Sequence, residues 1–202
     1  MVFGNFEEID GEGKIKKLIT YKDWLSKPDK IAYIISNIIQ TSCPLHRRQS
    51  IAQIGGFDEN LSCGEERDVH IRLFFAGSRF FYHPTTVYKK RSSSDYSRIS
   101  NASWFHDDPM RYIRMEHKVI NMLKIVKNNY LTDEVRNRIA HRLWWRGRVA
   151  LPHGCKAVAN HHFDEARKIA PNSSVPLGLR YKLFYKLLGT YYTEMLYQLV
   201  GE

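Results

Sequence analysis

Residues 54–81 read IGGFDENLSCGEERDVHIRLFFAGSRFF, and this stretch constrains the fold more than any other. Gly55-Gly56-Phe57-Asp58-Glu59 sets a glycine pair ahead of an acid pair and predicts a flexible, acid-bearing loop. A second acidic cluster, Glu65, Glu66 and Asp68, falls where that loop should become a helix. Val69, Leu73 and Ala76 recur at i, i+4 and i+7, and Gly77 stands where a helix would stop. Acids in a first helical turn are favoured by the free backbone N–H groups there, so charge at a helix start is one reading of the cluster. A ligand site is the other, because Gly64 leaves room for close approach.

The rest of the chain divides in two by pattern. Up to Arg91 strand and helix signals mix: Asp10-Gly11-Glu12-Gly13 predicts a turn between short strands, and Ser26-Lys27-Pro28-Asp29 a helix start near Pro28. SSSDYSRISNAS then predicts a mobile loop and a boundary. From Met110 the periodicity is helical. Met115, Val119, Met122 and Val126 share one face; Val135, Ile139 and Leu143 mark a second helix opened by Thr132-Asp133-Glu134. A third covers residues 157–170 ahead of Pro171, and Leu179, Leu183, Leu187, Tyr191 and Leu199 lie along a fourth.

In this order and spacing the motifs resemble the family-2 nucleotide-sugar glycosyltransferases, inverting enzymes with an A-type, Rossmann-like fold. The resemblance rests on GGFDE at residues 55–59, Glu65-Glu66, Asp68, IRL at 71–73 and Ala76-Gly77. GNFEEIDGEGKIKK (4–17) looks like the strand–turn–strand of that family, IIQTSCPLHRR (38–48) like the strand before its GGFDE loop, and FFYHPTTVYKKR (80–91) like its closing strands. The fold class expected is therefore α/β, a partial A-type domain at 1–100, followed by an all-α helical extension at 101–202.

The resemblance implies roles. Glu66 would be the general base that takes the proton from an acceptor hydroxyl, with Glu65 orienting or binding; this chain has Glu where Asp is common at that position. Gly56, Asp58 and Glu59 in the loop, together with Asp68, Lys90 and Arg91, are the substrate-binding candidates. A capped turn at Asp58 and Glu59, an Asp68–Arg72 helix salt bridge, and a solvated strand end at Lys89 to Arg91 are the alternatives. The chain contains no Asp-x-Asp, the family's metal and diphosphate motif. The resemblance thus implies the acceptor-side portion of a longer inverting transferase, inactive alone. Its nucleotide-sugar donor and a divalent cation, Mg or Mn, would be held by residues absent here, and its acceptor would be a glycan or lipid-linked molecule.

Charge adds a second reading. Residues 1–109 hold 15 Lys and Arg against 14 Asp and Glu, while residues 110–202 hold 16 against 7. A basic helical module that binds an anionic membrane surface or a partner protein is the alternative function. Trp144-Trp145-Arg146-Gly147-Arg148 would suit stacking on bases, a membrane interface, a sugar site or plain helix packing. Nucleic acid is not the expected partner. The nine histidines show no zinc-type spacing, and no metal site is assigned. Cys43, Cys63 and Cys155 lack paired spacing and read as free thiols of a reducing compartment. No apolar run reaches the roughly 18–20 residues of a membrane span. A cytoplasmic location is the expectation, with a peripheral place at the inner face of the membrane.

Overall fold

A short strand with partners on both edges is the centre of the first of two units, Met1–Ala102 and Ser103–Glu202. The computed structural model describes residues 1–91, 104–126, 130–173, 175 and 178–200, so the polar stretch at 92–103 lies outside the described residues. In the first unit β1 (Val2–Ile9), β2 (Ile15–Ile19), β3 (Pro44–Leu45) and β4 (Phe81–Arg91) form one sheet. The helices α1 (Lys30–Ser36), α2 (Arg48–Gln53) and α3 (Glu65–Phe75) fall between β2 and β4. β2 and β3 pair antiparallel with the two ends of β1, while β4 runs parallel to it along its length. A parallel neighbour needs a crossover, and the chain from β2 to β4 supplies it.

The two faces of the sheet differ. Phe3 packs edge-on against Tyr21 and Trp24 and tilted against Tyr82 at 5.4–5.8 Å, and Phe6 stacks on Tyr88 at 5.1 Å. Asn5 shares this buried face: its carbonyl oxygen accepts from the Tyr82 hydroxyl at 2.8 Å and its amide donates to the Pro84 carbonyl at 3.2 Å. Register shifts on either side of Asn5 let Asn5 and Phe6 both point inward. Gly4, beside them, is where a side chain could not fit, since a Cβ would stand 2.6 Å from the Thr85 carbonyl oxygen. The opposite face is open: Leu45, Val2 and Phe81 lie abreast across three strands, all exposed.

Local chemistry sets the element ends. Asp10 accepts from the N–H groups of Glu12 and Lys14 and closes the β1–β2 turn. Asp29 caps α1 by accepting from Ala32 at 2.8 Å. Two expectations need correction. Residues 38–48 hold only the two-residue β3, because Tyr21 pins the segment before it into a turn and α2 begins at Arg48. Residues 80–91 form one strand, Phe81–Arg91, rather than several.

The second unit is helical: α4 (Trp104–Asp107), α5 (Arg111–Ile125), α6 (Asp133–Ala150), α7 (Lys156–Ile169) and α8 (Leu179–Val200). Thr132 caps α6, its hydroxyl accepting from Val135 at 3.3 Å. α6 and α7 pack tightly: a Cβ on Gly147 would come within 2.5 Å of the Phe163 ring. Trp144 fills the centre against Phe163 and Tyr185. Glu194 of α8 is fully buried and accepts from Arg148 at 2.8 Å, Trp144 at 3.4 Å and the Tyr181 hydroxyl. α8 breaks at Gly189, whose φ of 72° and ψ of 175° leave the helical region. The chain is thus a mixed α/β unit plus an all-α unit. No helix among the described residues is long and apolar enough to cross a membrane.

Candidate functional site

The acidic cluster of the first unit sits in the opening turn of α3. Gly64 precedes it in the left-handed region at φ 72° and, having no side chain, supplies no cap of its own. Acidic side chains at this first turn complement the positive end of the helix dipole. The three carboxylates separate by helical position. Glu65 and Glu66 are partly exposed, whereas Asp68 is fully buried.

Asp68 accepts from Arg72 Nε at 2.8 Å, and Arg72 reaches on to donate to the Ile54 carbonyl at 2.6 Å. This pair fastens the end of α2 to the middle of α3. A buried carboxylate so engaged orders the loop entrance instead of presenting itself to a ligand. The GGFDE loop starts at that anchor. Gly55 and Gly56 take φ of 79° and 78°, and their N–H groups return to Ala52 and Ile51 to finish α2. A Cβ at either would meet nothing within 4 Å, so the requirement there is backbone conformation, not space. Asp58 accepts from both the backbone and the side-chain nitrogen of Asn60, a capped turn, while Glu59 is exposed.

Glu66 has a built environment. The Thr41 hydroxyl donates to Glu66 Oε1 at 2.8 Å across 25 residues of sequence. Thr41 is placed by Tyr21, whose hydroxyl donates to the Ile38 carbonyl at 2.9 Å and accepts from the Gln40 N–H at 3.3 Å. Tyr88 lies on the same side. Burial pushes its hydroxyl well above the ordinary range, and Cys43 and the charges of Glu8 and Glu66 push it further the same way. Tyr88 therefore stays a protonated hydrogen-bond donor at neutral pH beside two carboxylates.

Strand alternation sorts the basic residues. Lys90 stands opposite Glu8 and shares a face with Tyr88, which stands opposite Phe6; Lys89 and Arg91 point to the other face. Lys89 lies 3.5 Å from Glu7 there. Glu66, Thr41, Tyr88, Glu8 and Lys90 thus gather at one end of the aromatic face. Thr41, Tyr88 and Glu8 were not singled out from the sequence. The parity of Tyr88 with Lys90 was the available signal, and Thr41 carries none.

Two more buried groups lie nearby. His70 is 2% exposed, and its ring stacks on His46 at 5.7 Å. Burial, then the neighbouring His46 and the amino terminus, push its pKa down to about 3, so it is neutral at physiological pH. Among the described residues no group of three or more His, Cys, Asp or Glu side chains is placed to hold a metal ion. The divalent cation implied by the resemblance is one for residues outside this chain, so this absence does not bear on it. In the second unit, Trp144-Trp145-Arg146-Gly147-Arg148 divides its labour. Trp144, Gly147 and Arg148 belong to packing; Arg146 stacks on Tyr112 at 3.7 Å; Trp145 is exposed under the Arg148 guanidinium. Comparison with known proteins brought no match: no family description fits the chain, and neither a curated protein nor a solved structure resembles it.

Proposed function

We propose that the first unit is the acceptor-side portion of an inverting, A-type nucleotide-sugar glycosyltransferase, with Glu66 as general base. The observation that carries this reading is the setting of Glu66: a partly exposed carboxylate in the first turn of α3, oriented by the Thr41 hydroxyl at 2.8 Å. A hydroxyl is a poor nucleophile while protonated, and a carboxylate within hydrogen-bond reach removes that obstacle as the oxygen attacks. Thr41 engages one carboxylate oxygen and leaves the other to accept the acceptor's proton. The Tyr88 hydroxyl, hydrogen-bonded with Cys43, borders the same carboxylate, and Lys90 supplies positive charge toward a diphosphate leaving group. Glu59 at the loop tip is free to bind acceptor hydroxyls, and Glu65 assists from the next helical position. Gly56, Asp58, Asp68 and Arg72 hold the loop in place. The donor diphosphate and its cation belong to a half that carries the Asp-x-Asp, and no step is assigned to them here.

The test is Glu66→Gln in a form extended by a nucleotide-sugar-binding half. The amide keeps shape and hydrogen bonding but cannot take a proton. Turnover should fall roughly 10²–10⁴-fold, in kcat and kcat/KM together, with donor affinity unchanged. Near-normal turnover in Glu66→Gln with loss in Glu65→Gln would move the base by one residue. Full activity in both would leave the cluster as a helix start and end the proposal.

A further inference from the structure

The fourth long helix of the second unit exposes what helices ordinarily bury. Leu183 and Leu187 are 59% and 72% exposed, with Phe184 and Leu188 beside them, and beyond the Gly189 break Tyr192, Met195 and Leu196 are exposed as well. At about 100° per residue the first four occupy an arc of roughly 140°, and the last three a narrower arc on the second segment. The packed side is elsewhere: among the described side chains of α8, Tyr181, Thr193 and Glu194 are the buried ones.

The exposed charge of this helix has one sign. Arg180, Lys182 and Lys186 are exposed, and its only acid, Glu194, is buried against Arg148. Lys182 and Lys186 also line a cleft of about 170 Å³ together with Tyr185 of the same helix, Arg167 of α7 and the turn at Pro171 to Ser173. Residues 103–202 carry 16 Lys and Arg against 9 Asp and Glu, so the field around the helix is positive too.

We infer that α8 is a membrane-surface helix that lays its leucine face into an anionic bilayer, with the Lys182–Lys186 cleft receiving a lipid headgroup phosphate. A helix with an apolar face and a Lys/Arg rim lies in the interface plane, held by apolar burial and by attraction to anionic lipid. The positive charge selects this occupant over a second copy of the chain, since two such faces would bring like charges together. The inference does not depend on sugar transfer.

Flotation of the full chain with vesicles of phosphatidylcholine, alone or mixed with phosphatidylglycerol, tests it at low and high salt. The chain should bind the anionic vesicles and release in high salt. Lys182→Gln with Lys186→Gln should weaken anionic binding about fivefold per lysine. Leu183→Ser with Leu187→Ser should weaken it at least about tenfold, with an unchanged melting curve, because neither leucine is packed. Absence of binding by the unaltered chain, or full binding by the leucine pair variant, overturns the inference. So does a concentration-dependent dimer in analytical ultracentrifugation that the leucine changes abolish while vesicle binding is absent. Saturable binding of inorganic phosphate with no vesicle binding would make the cleft a free-anion site and overturn it equally.

Discussion

The two units differ in how many of their acids they leave at the surface. In the sheet unit the centre is aromatic, built on Phe3, Phe6, Tyr21 and Trp24, and the carboxylates Glu8, Glu65 and Glu66 stay partly exposed at one end. In the helical unit Glu116 and Glu194 are buried on Arg142 and Arg148, while a run of leucines faces outward. A sheet satisfies its backbone through its neighbours, so its ends and loops are where side chains are released to act. Helices satisfy their own backbone, and a pair of helices is aligned only by what the side chains do between them. A buried ion pair fixes such an alignment at the expense of desolvation. The sheet unit, beside its buried Asp68 paired with Arg72, keeps Glu8, Glu65 and Glu66 partly exposed; the helical unit buries Glu116 and Glu194 on arginines and leaves apolar side chains of α8 exposed.

The largest effect that could break this contrast is loss of the Glu194 carboxylate. Glu194→Ala removes the buried carboxylate to which Arg148, at 10% exposure, donates, and takes an acceptor from Trp144 and Tyr181. Removing one member of such a pair typically costs about 3–5 kcal/mol. Urea unfolding should show the loss, and hydrogen exchange should confine it to residues 103–202. The double change Glu194→Met with Arg148→Met should recover most of it. A loss under about 1 kcal/mol would mean the pair is solvated and the contrast between the units fails.

The sequence disclosed elements with chemistry at both ends. α3 was legible because acids open it and Gly77 closes it; the Ser78 N–H returns to the Leu73 carbonyl, as a glycine-ended helix requires. α6 was legible through Thr132. The surroundings of Glu66 were not, because Thr41 arrives there through Tyr21, an aromatic twenty residues away that gives no sign of whose carbonyl it will hold. The leucine series of α8 shows the converse failure. Its spacing marks a helix, but spacing does not say which side is covered: Tyr181 is buried with its hydroxyl on Glu194, while Leu183 and Leu187 are exposed. Short β3 was lost for a third reason: a turn fixed by distant hydrogen bonds overrides the strand propensity of Ile38 and Ile39.

Acid sharpens the comparison next. His70 holds a pKa of about 3 when folded and gains a proton near 6.5 when unfolded. Between those values the unfolded chain binds more protons. The stability attached to His70 is thus complete above about pH 6.5 and falls by up to about 1.4 kcal/mol per unit below it. His162 in the helical unit is also held neutral by burial, with Arg146 and His161 pushing the same way, against its bond to the Val158 carbonyl. Both units should weaken from pH 6.5 to 5, a window above most carboxylate titration. His70→Phe should flatten the slope for residues 1–102 alone, and His162→Phe for 103–202 alone, as read by exchange in each unit. A slope unchanged in His70→Phe would show that the ring is not buried neutral.

The smallest expected effect compares the two helix caps. Asp29 accepts from Ala32 at 2.8 Å and places a full negative charge at the start of α1; Thr132 accepts from Val135 at 3.3 Å with a neutral hydroxyl. Truncating either to alanine costs about 0.5–2 kcal/mol, and the charged, shorter bond belongs toward the upper end. Helix length pushes the same way. α1 has seven residues and depends on its cap and on the burial of Ile31, Tyr33, Ile34 and Ile35, whereas α6 has 18 and is gripped along its length by α7. Asp29→Ala should therefore lower stability more than Thr132→Ala, and salt should narrow the gap by screening the helix-dipole part. Asp29→Asn keeps the acceptor without the charge and should fall between. Equal losses for the two alanine variants would show that neither charge nor helix length distinguishes the caps, and that tertiary packing alone sets where each helix begins.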